Sequence, residues 1–262
     1  MNAGIQKLKQ GLTTFDLKIL GIILMVIDHV HQMFLPFGAP NWLDWFGRPV
    51  ATIFFFTSVI GFSHTHSKSK YMLRLYLSMF FMSLLTFITQ NIVKYDKVVL
   101  SNNIFRDLFV GTLFMLGINF FQKARHPQHR TRNLIFGIIL LAIPFIASLL
   151  VLPLTKAPIP VMITLSSLLP AIALAENNVM TLMIPLLYLF KDNRKWQCLI
   201  IAIFALAYGV VRTNQWLMIL AIIPIWFYNG NKGRGMKSFF YIFYPTHIIL
   251  LYLLSAVLYN LH

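Results

Sequence analysis

Asp28, His29, His31 and Gln32 place four polar side chains within five consecutive positions of a run that is otherwise apolar from residue 17 to residue 37, after Lys18. A helix needs about 20 apolar residues to cross a hydrocarbon core of about 30 Å, and this run is long enough. Asp28 falls roughly 16 Å along it, near mid-membrane, where an ionisable group is expensive to insert and points to function. An imidazole titrates near neutrality, so His29 suits a general base, or a nucleophile that carries an acyl group as an acyl-imidazole. Successive helical positions are about 100° apart, so Asp28 and His29 do not face each other, whereas Asp28, His31 and Gln32 share a face. On that geometry His29 is aimed at a substrate or another helix, and Asp28 orients His31 or an arginine from elsewhere. A polar cluster that only holds helices together is the structural alternative.

Other polar positions are fewer. Arg48 enters the second span in FGRPVA, either as an interfacial anchor or as a ligand for an anionic group. His247 follows Tyr244 and Pro245 in FYIFYPTH, roughly 12 Å into the last span. Pro245 frees a backbone carbonyl there, and His247 is either hydrogen-bonded scaffold or ligand. Asp107 beside Arg106 predicts an interfacial ion pair or cap, and Glu176 either caps the following helix or lines a cavity. His64, His66, His126 and His129 sit among cations in loops. The single Cys198 excludes an intramolecular disulfide and a thiolate zinc cluster. No phosphate-binding glycine loop, nucleophile elbow or HExxH occurs, and no metal is expected.

The scaffold follows from composition. Of 262 residues 58% are apolar and 11% charged, with 22 Lys and Arg against 7 acids. Ordinary globular domains are about a quarter charged, and a nucleic-acid binder gathers its cations on a solvated face. Here the cations punctuate long apolar runs and the mean hydropathy is +0.72, so nucleic acid is excluded as a partner and lipid is the solvent. The basic N-terminus followed by an apolar run, with no small-residue cleavage site, predicts a retained first span. An all-α polytopic bundle forming a single membrane-embedded domain over residues 1–262 is expected.

Spans are predicted at residues 17–37, 49–63, 71–93, 104–122, 133–152, 197–211, 215–228 and 239–258, with an interrupted stretch at 159–190. That stretch is either two short helices turning at 175–178 or one broken crossing. Cytoplasmic loops carry excess Lys and Arg. One crossing by 159–190, nine in all with a cytoplasmic N-terminus, puts 16 of the 22 cations inside and 6 outside. Ten crossings would split them 11 and 11. Charge therefore favours nine.

LKILGIILMVIDH at 17–29, FGRPVATIFFF at 46–56, GFSHT at 61–65, KYMLRL at 70–75, FYNGNKGRG at 227–235 and FFYIFYPTH at 239–247 together resemble the TraX family over nearly the whole chain. TraX proteins are membrane acetyltransferases associated with N-terminal acetylation of conjugative pilin, and are similar to a wider group of multi-pass acyltransferases that use acyl-CoA. That wider group carries a basic residue, ten intervening positions and a histidine in its first span. Lys18 and His29 match the spacing, with Lys in place of the more usual Arg, which keeps the charge but loses the bidentate fork. A second basic site is matched by Lys70 and Arg74. The resemblance implies acetyl-CoA as donor, drawn to the basic cytoplasmic face of a bacterial plasma membrane. It also implies His29 as base or acyl carrier, assisted by Asp28, with Arg48, His247, Tyr244 and His31 around a peptide, glycan or lipid acceptor. Two other functions fit the residues: an ion-coupled transporter or channel using Asp28, His29 and Glu176, and a non-catalytic assembly or immunity protein.

Overall fold

The computed structural model describes residues 11–211, 213–235 and 239–261. Among them the chain is helical: α1 Thr14–Phe34, α2 Asp44–Gly47, α3 Val50–His64, α4 Lys68–Val93, α5 Ile104–Lys123, α6 Arg130–Leu154, α7 Ile159–Leu168, α8 Met183–Leu189, α9 Arg194–Val210, α10 Ile222–Trp226 and α11 Phe239–Leu261. Six apolar helical segments are long enough to cross a membrane: Thr14–Phe37, Asn41–His64, Lys68–Val93, Ile104–Lys123, Arg130–Leu154 and Phe239–Leu261. The surface of α6 explains its lipid setting, since Ile138, Ile139, Leu149 and Leu152 are all exposed. Water would not tolerate so broad an apolar face. α3 is the opposite case, with Ile53, Phe55, Phe56, Val59 and Phe62 fully buried. The interrupted stretch is broken as expected: 3-10 turns at Ile172–Leu174 and Asn178–Leu182 separate α7 from α8.

Two compact units divide the chain, one made of residues 1–60, 90–100 and 190–262, the other of 61–89 and 101–189. In the first, a backbone clasp ties the start of α1 to the loop before α11. Leu12 N donates to Phe227 O at 2.8 Å, Asn229 N to Leu12 O at 2.9 Å, Thr14 N to Asn231 O at 2.9 Å and Phe15 N to Lys232 O at 3.1 Å. The clasp requires glycine. Gly11 has φ +75°, and a Cβ there would stand 2.8 Å from Phe227 O. Thr13 and Asp16 complete the N-terminus as a capping box.

The other end of this unit is tied by hydroxyls. Ser255 Oγ donates to Met33 O at 2.6 Å, which commits its proton, so Tyr95 Oη at 3.0 Å donates to Ser255. Tyr252 Oη donates to Tyr95 O at 3.0 Å. Thus α1 and α11 start at one end and finish at the other. The starting end also holds Arg194, stacked on Tyr228, and the finishing end holds Arg48, bonded to Gln215. Charge favours nine crossings; the described residues hold six helices of membrane-crossing length and three shorter apolar ones, Ile159–Leu168, Asn178–Leu189 and Asn214–Trp226. Lys18, Arg194 and Lys232 lie toward the starting end, and by the positive-inside rule such a basic end is the one expected to face the cytoplasm.

The second unit packs α5 against α6 and α8 through small residues, as membrane helices do. A Cβ on Gly111 would overlap Ile184, and one on Gly137 would stand 3.0 Å from the Phe121 ring. Its break is held by acids. The fully buried Asp107 carboxylate accepts Glu176 N at 3.0 Å, Asn177 N at 2.8 Å and the Thr181 hydroxyl at 2.9 Å. Asp107 is therefore a cap for the broken segment. Arg106 instead donates to Ser83 Oγ at 3.1 Å and to Ser166 O at 3.3 Å. The Glu176 carboxylate accepts Asn103 N at 2.8 Å and Asn102 Nδ2 at 3.3 Å, at the start of α5. Two reciprocal carboxylate contacts thus join α5 to the break.

Candidate functional site

His29 lies roughly 22 Å along α1 and His247 roughly 12 Å along α11. The structure brings them together. Their rings stack with centroids 5.0 Å apart and planes 14° from parallel. His29 Nδ1 is 2.7 Å from His247 Nε2, and His247 Nδ1 is 2.8 Å from the Phe243 carbonyl oxygen one turn earlier. The helix supplies that carbonyl at the spacing where an i, i+4 side chain reaches back.

These two distances assign the protons. A carbonyl oxygen only accepts, so His247 Nδ1 carries hydrogen. A neutral imidazole has one N–H, which leaves His247 Nε2 bare to accept from His29 Nδ1. His29 then has its own proton on Nδ1 and a lone pair on Nε2. The chain from the Phe243 carbonyl through both rings therefore fixes His29 in the tautomer a base requires.

The pair is enclosed by aromatics. Phe243 stacks on His247 at 4.8 Å, and Tyr244 stands edge-on to both rings, at 6.2 Å from His29 and 5.8 Å from His247. His29 is 3% exposed and His247 8%. Of the residues expected around the acceptor, Tyr244 and His247 therefore share one cluster with His29.

Asp28 serves a different neighbourhood. His247, not Asp28, engages His29 Nδ1, as the 100° offset between adjacent helical positions dictates. The charged and titratable groups facing Asp28 are Arg48, Asp44 and His31. Arg48 pairs with Asp44 through Nη2, donates from Nη1 to Gln215 Oε1 at 3.2 Å, and receives Gln215 Nε2 on its own carbonyl at 3.2 Å. His31 is buried, and its Nε2 has no hydrogen-bond partner among the described residues. Asp28 reaches this cluster because residue 47 is glycine: a Cβ there would overlap the Asp28 carboxylate. Gly47→Ala is accordingly expected to destabilise the protein by about 1–3 kcal/mol, the usual range for overpacking. Thermal unfolding in detergent measures this, and an unchanged midpoint contradicts the close approach.

Lys18 lies one turn into α1, its Nζ 5.2 Å from the Phe240 ring centroid. Lys70 and Arg74 are in the second unit and exposed, with Arg74 Nε donating to Lys70 O at 3.2 Å. Two contributors were not singled out by sequence. They are the Phe243 carbonyl and Gln215. Backbone groups and neutral amides leave no signature in composition or charge.

The model of the TraX protein family matches residues 14–255, a stretch that holds both histidines. The chain belongs to the TraX family. No curated protein and no solved structure matches this TraX-family chain. Its histidine relay, its Asp28–Arg48 cluster and the clasp at residues 227–232 all lie within the matched region.

Proposed function

We propose that this TraX-family chain is a multi-pass acyltransferase of the bacterial cytoplasmic membrane. It moves an acetyl group from acetyl-CoA to an amine or hydroxyl of a membrane-associated or extracytoplasmic acceptor, a pilin-like N-terminus being one such group. The observation that carries this reading is the His29–His247 relay anchored on the Phe243 carbonyl. The association of the family with pilin acetylation supports it.

The chemistry follows from the proton assignment. The acceptor nitrogen or oxygen attacks the thioester carbonyl as His29 Nε2 takes its proton. The charge that forms on His29 is shared with His247 through the Nδ1–H···Nε2 bond, in surroundings where water cannot provide that stabilisation. The carbon–sulfur bond then breaks, CoA leaves as thiolate, and His29 returns the proton to sulfur. Acetylated acceptor and free CoA are the products, and no metal is required to balance the step. His31 and Arg48 lie at the end of the unit remote from the clasp and serve acceptor binding.

The test is incubation of membranes containing the protein with acetyl-labelled acetyl-CoA, followed by identification of labelled material and titration of released thiol. Label in a peptide, glycan or lipid with equimolar free CoA is the expected result. Membranes that yield neither label nor thiol above those lacking the protein would overturn the reading.

A further inference from the structure

The second unit carries its charge unevenly. Its two acids, Asp107 and Glu176, are both engaged at the break, on the backbone N–H groups of Glu176, Asn177 and Asn103. No acid occurs from residue 108 to residue 175. α5 starts beside the break and runs 20 residues to Lys123, roughly 30 Å at the helical rise. At that far end Lys123, Arg125, Arg130 and Arg132 follow one another closely, and all four are exposed. None of them pairs with a carboxylate among the described residues.

The backbone holds these cations within one turn. Ala124 N donates to Phe120 O at 2.9 Å, His126 N to Lys123 O at 3.2 Å and Arg130 N to Pro127 O at 3.3 Å. Ala124 and Asn133, at the two ends of the turn, are buried. Glycines bring α5 and α6 close beside it, since a Cβ on Gly117 would stand 3.2 Å from Gly137 O. Phe120 of α5 then meets Phe136 of α6 with centroids 5.5 Å apart, and Lys123 Nζ lies 5.6 Å from the Phe120 centroid.

The cluster borders a lipid-facing wall. Arg132, Ile135, Phe136 and Ile139 follow the i, i+3, i+4, i+7 spacing of one helix face. The three apolar members are 51%, 46% and 47% exposed. A helix face that is basic at its end and apolar for the next two turns suits both halves of a charged lipid: cations meet the headgroup, and hydrocarbon meets the chain. A soluble anion would leave the apolar wall uncovered, and a neutral lipid would leave the cations uncompensated.

We propose that the turn between α5 and α6, with the adjoining face of α6, binds an anionic phospholipid. Its headgroup lies on Lys123, Arg125, Arg130 and Arg132, and an acyl chain runs along Ile135, Phe136 and Ile139. By the positive-inside rule the leaflet concerned is the one facing the cytoplasm. The site is independent of the acyltransferase reading.

Protein purified in an uncharged detergent is titrated with phosphatidylglycerol, with phosphatidylcholine of the same chains and with glycerol phosphate, and bound lipid is counted by native mass spectrometry. Wild type is expected to prefer phosphatidylglycerol to phosphatidylcholine by about tenfold or more. Each cation near an anionic surface contributes about fivefold, so R130Q/R132Q and K123Q/R125Q are each expected to weaken phosphatidylglycerol binding by about 10–30-fold. Their unfolding midpoints without lipid are expected to match wild type, because all four side chains are exposed. Equal affinity for the two lipids, or wild-type phosphatidylglycerol affinity in both double variants, overturns the site. Displacement of the lipid by equimolar glycerol phosphate also overturns it, since the cations would then hold a soluble anion and the α6 face would take no part.

Discussion

His29→Ala is expected to lower acetyl transfer by about 10³–10⁴-fold at saturating donor, the range a positioned general base contributes. The structure makes this loss conditional on a second residue. His247 accepts the His29 Nδ1 proton and is itself fixed by the Phe243 carbonyl, so His247→Ala releases the tautomer without removing the base. A loss of about 10–100-fold is expected from that change, in the turnover number more than in KM, because the relay acts on proton transfer. Residues that act as one unit are not additive. The double variant is therefore expected to be no slower than His29→Ala alone. Rates of thiol release from acetyl-CoA measure all three. Additive losses would mean that the two histidines work separately, and a His29→Ala enzyme running at the wild-type rate would remove the base altogether.

The second large effect concerns stability. Asp107→Ala removes the acceptor from two backbone N–H groups and the buried Thr181 hydroxyl, around a carboxylate that is itself fully buried. Unpaired buried donors cost about 1–3 kcal/mol each in water-soluble proteins, and polar contacts between membrane helices are worth somewhat less. A net destabilisation of about 2–4 kcal/mol is therefore expected. Asp107→Asn retains one accepting oxygen and should lose roughly half as much. Chemical unfolding in detergent gives the magnitude. Hydrogen exchange should show faster labelling at residues 172–182, with the clasp at residues 227–232 unaffected. A change below about 0.5 kcal/mol would show that the break is held by packing instead.

The charge distribution of the chain sets two surroundings apart. Cations that first mark sidedness also lie beside Tyr228 and the clasp, while the relay is buried among aromatics and bears no carboxylate partner for His29 among the described residues. Under the proposed reaction a phosphate-rich donor and the apolar histidine pair would take separate surroundings along α1. Phosphate oxygens need cations and N–H donors. A neutral imidazole needs exclusion from water, so that its lone pair is not already hydrogen-bonded.

Several features are legible in the residues alone. Apolar runs of helical length predict the six long helices, because burial in lipid leaves the backbone no other way to pair its polar groups. Asp28 and His29 stand out for the same reason: a polar side chain is conspicuous wherever its neighbours are uniformly apolar. The break at 175–178 is visible as Glu176, Asn177 and Asn178, which compete locally with helix hydrogen bonding. The count of cations favours nine crossings over ten, whereas the length of the helices gives six that can cross unaided.

What the sequence does not contain is which distant groups meet. His29 and His247 are separated by 218 positions, and nothing local in either helix specifies the other as its partner. Glu176 illustrates the same limit, since nothing in its local surroundings shows that its carboxylate reaches the start of α5. Arg194 has no special sequence context, yet Phe56 and Tyr228 enclose it. Hydropathy and helical period are one-dimensional and settle each element by itself. The pairing of α1 with α11 depends on the glycine-dependent clasp at one end and the Ser255–Met33 bond at the other. Only when both are made does the depth of each histidine along its helix become a shared depth, and two isolated imidazoles become a relay.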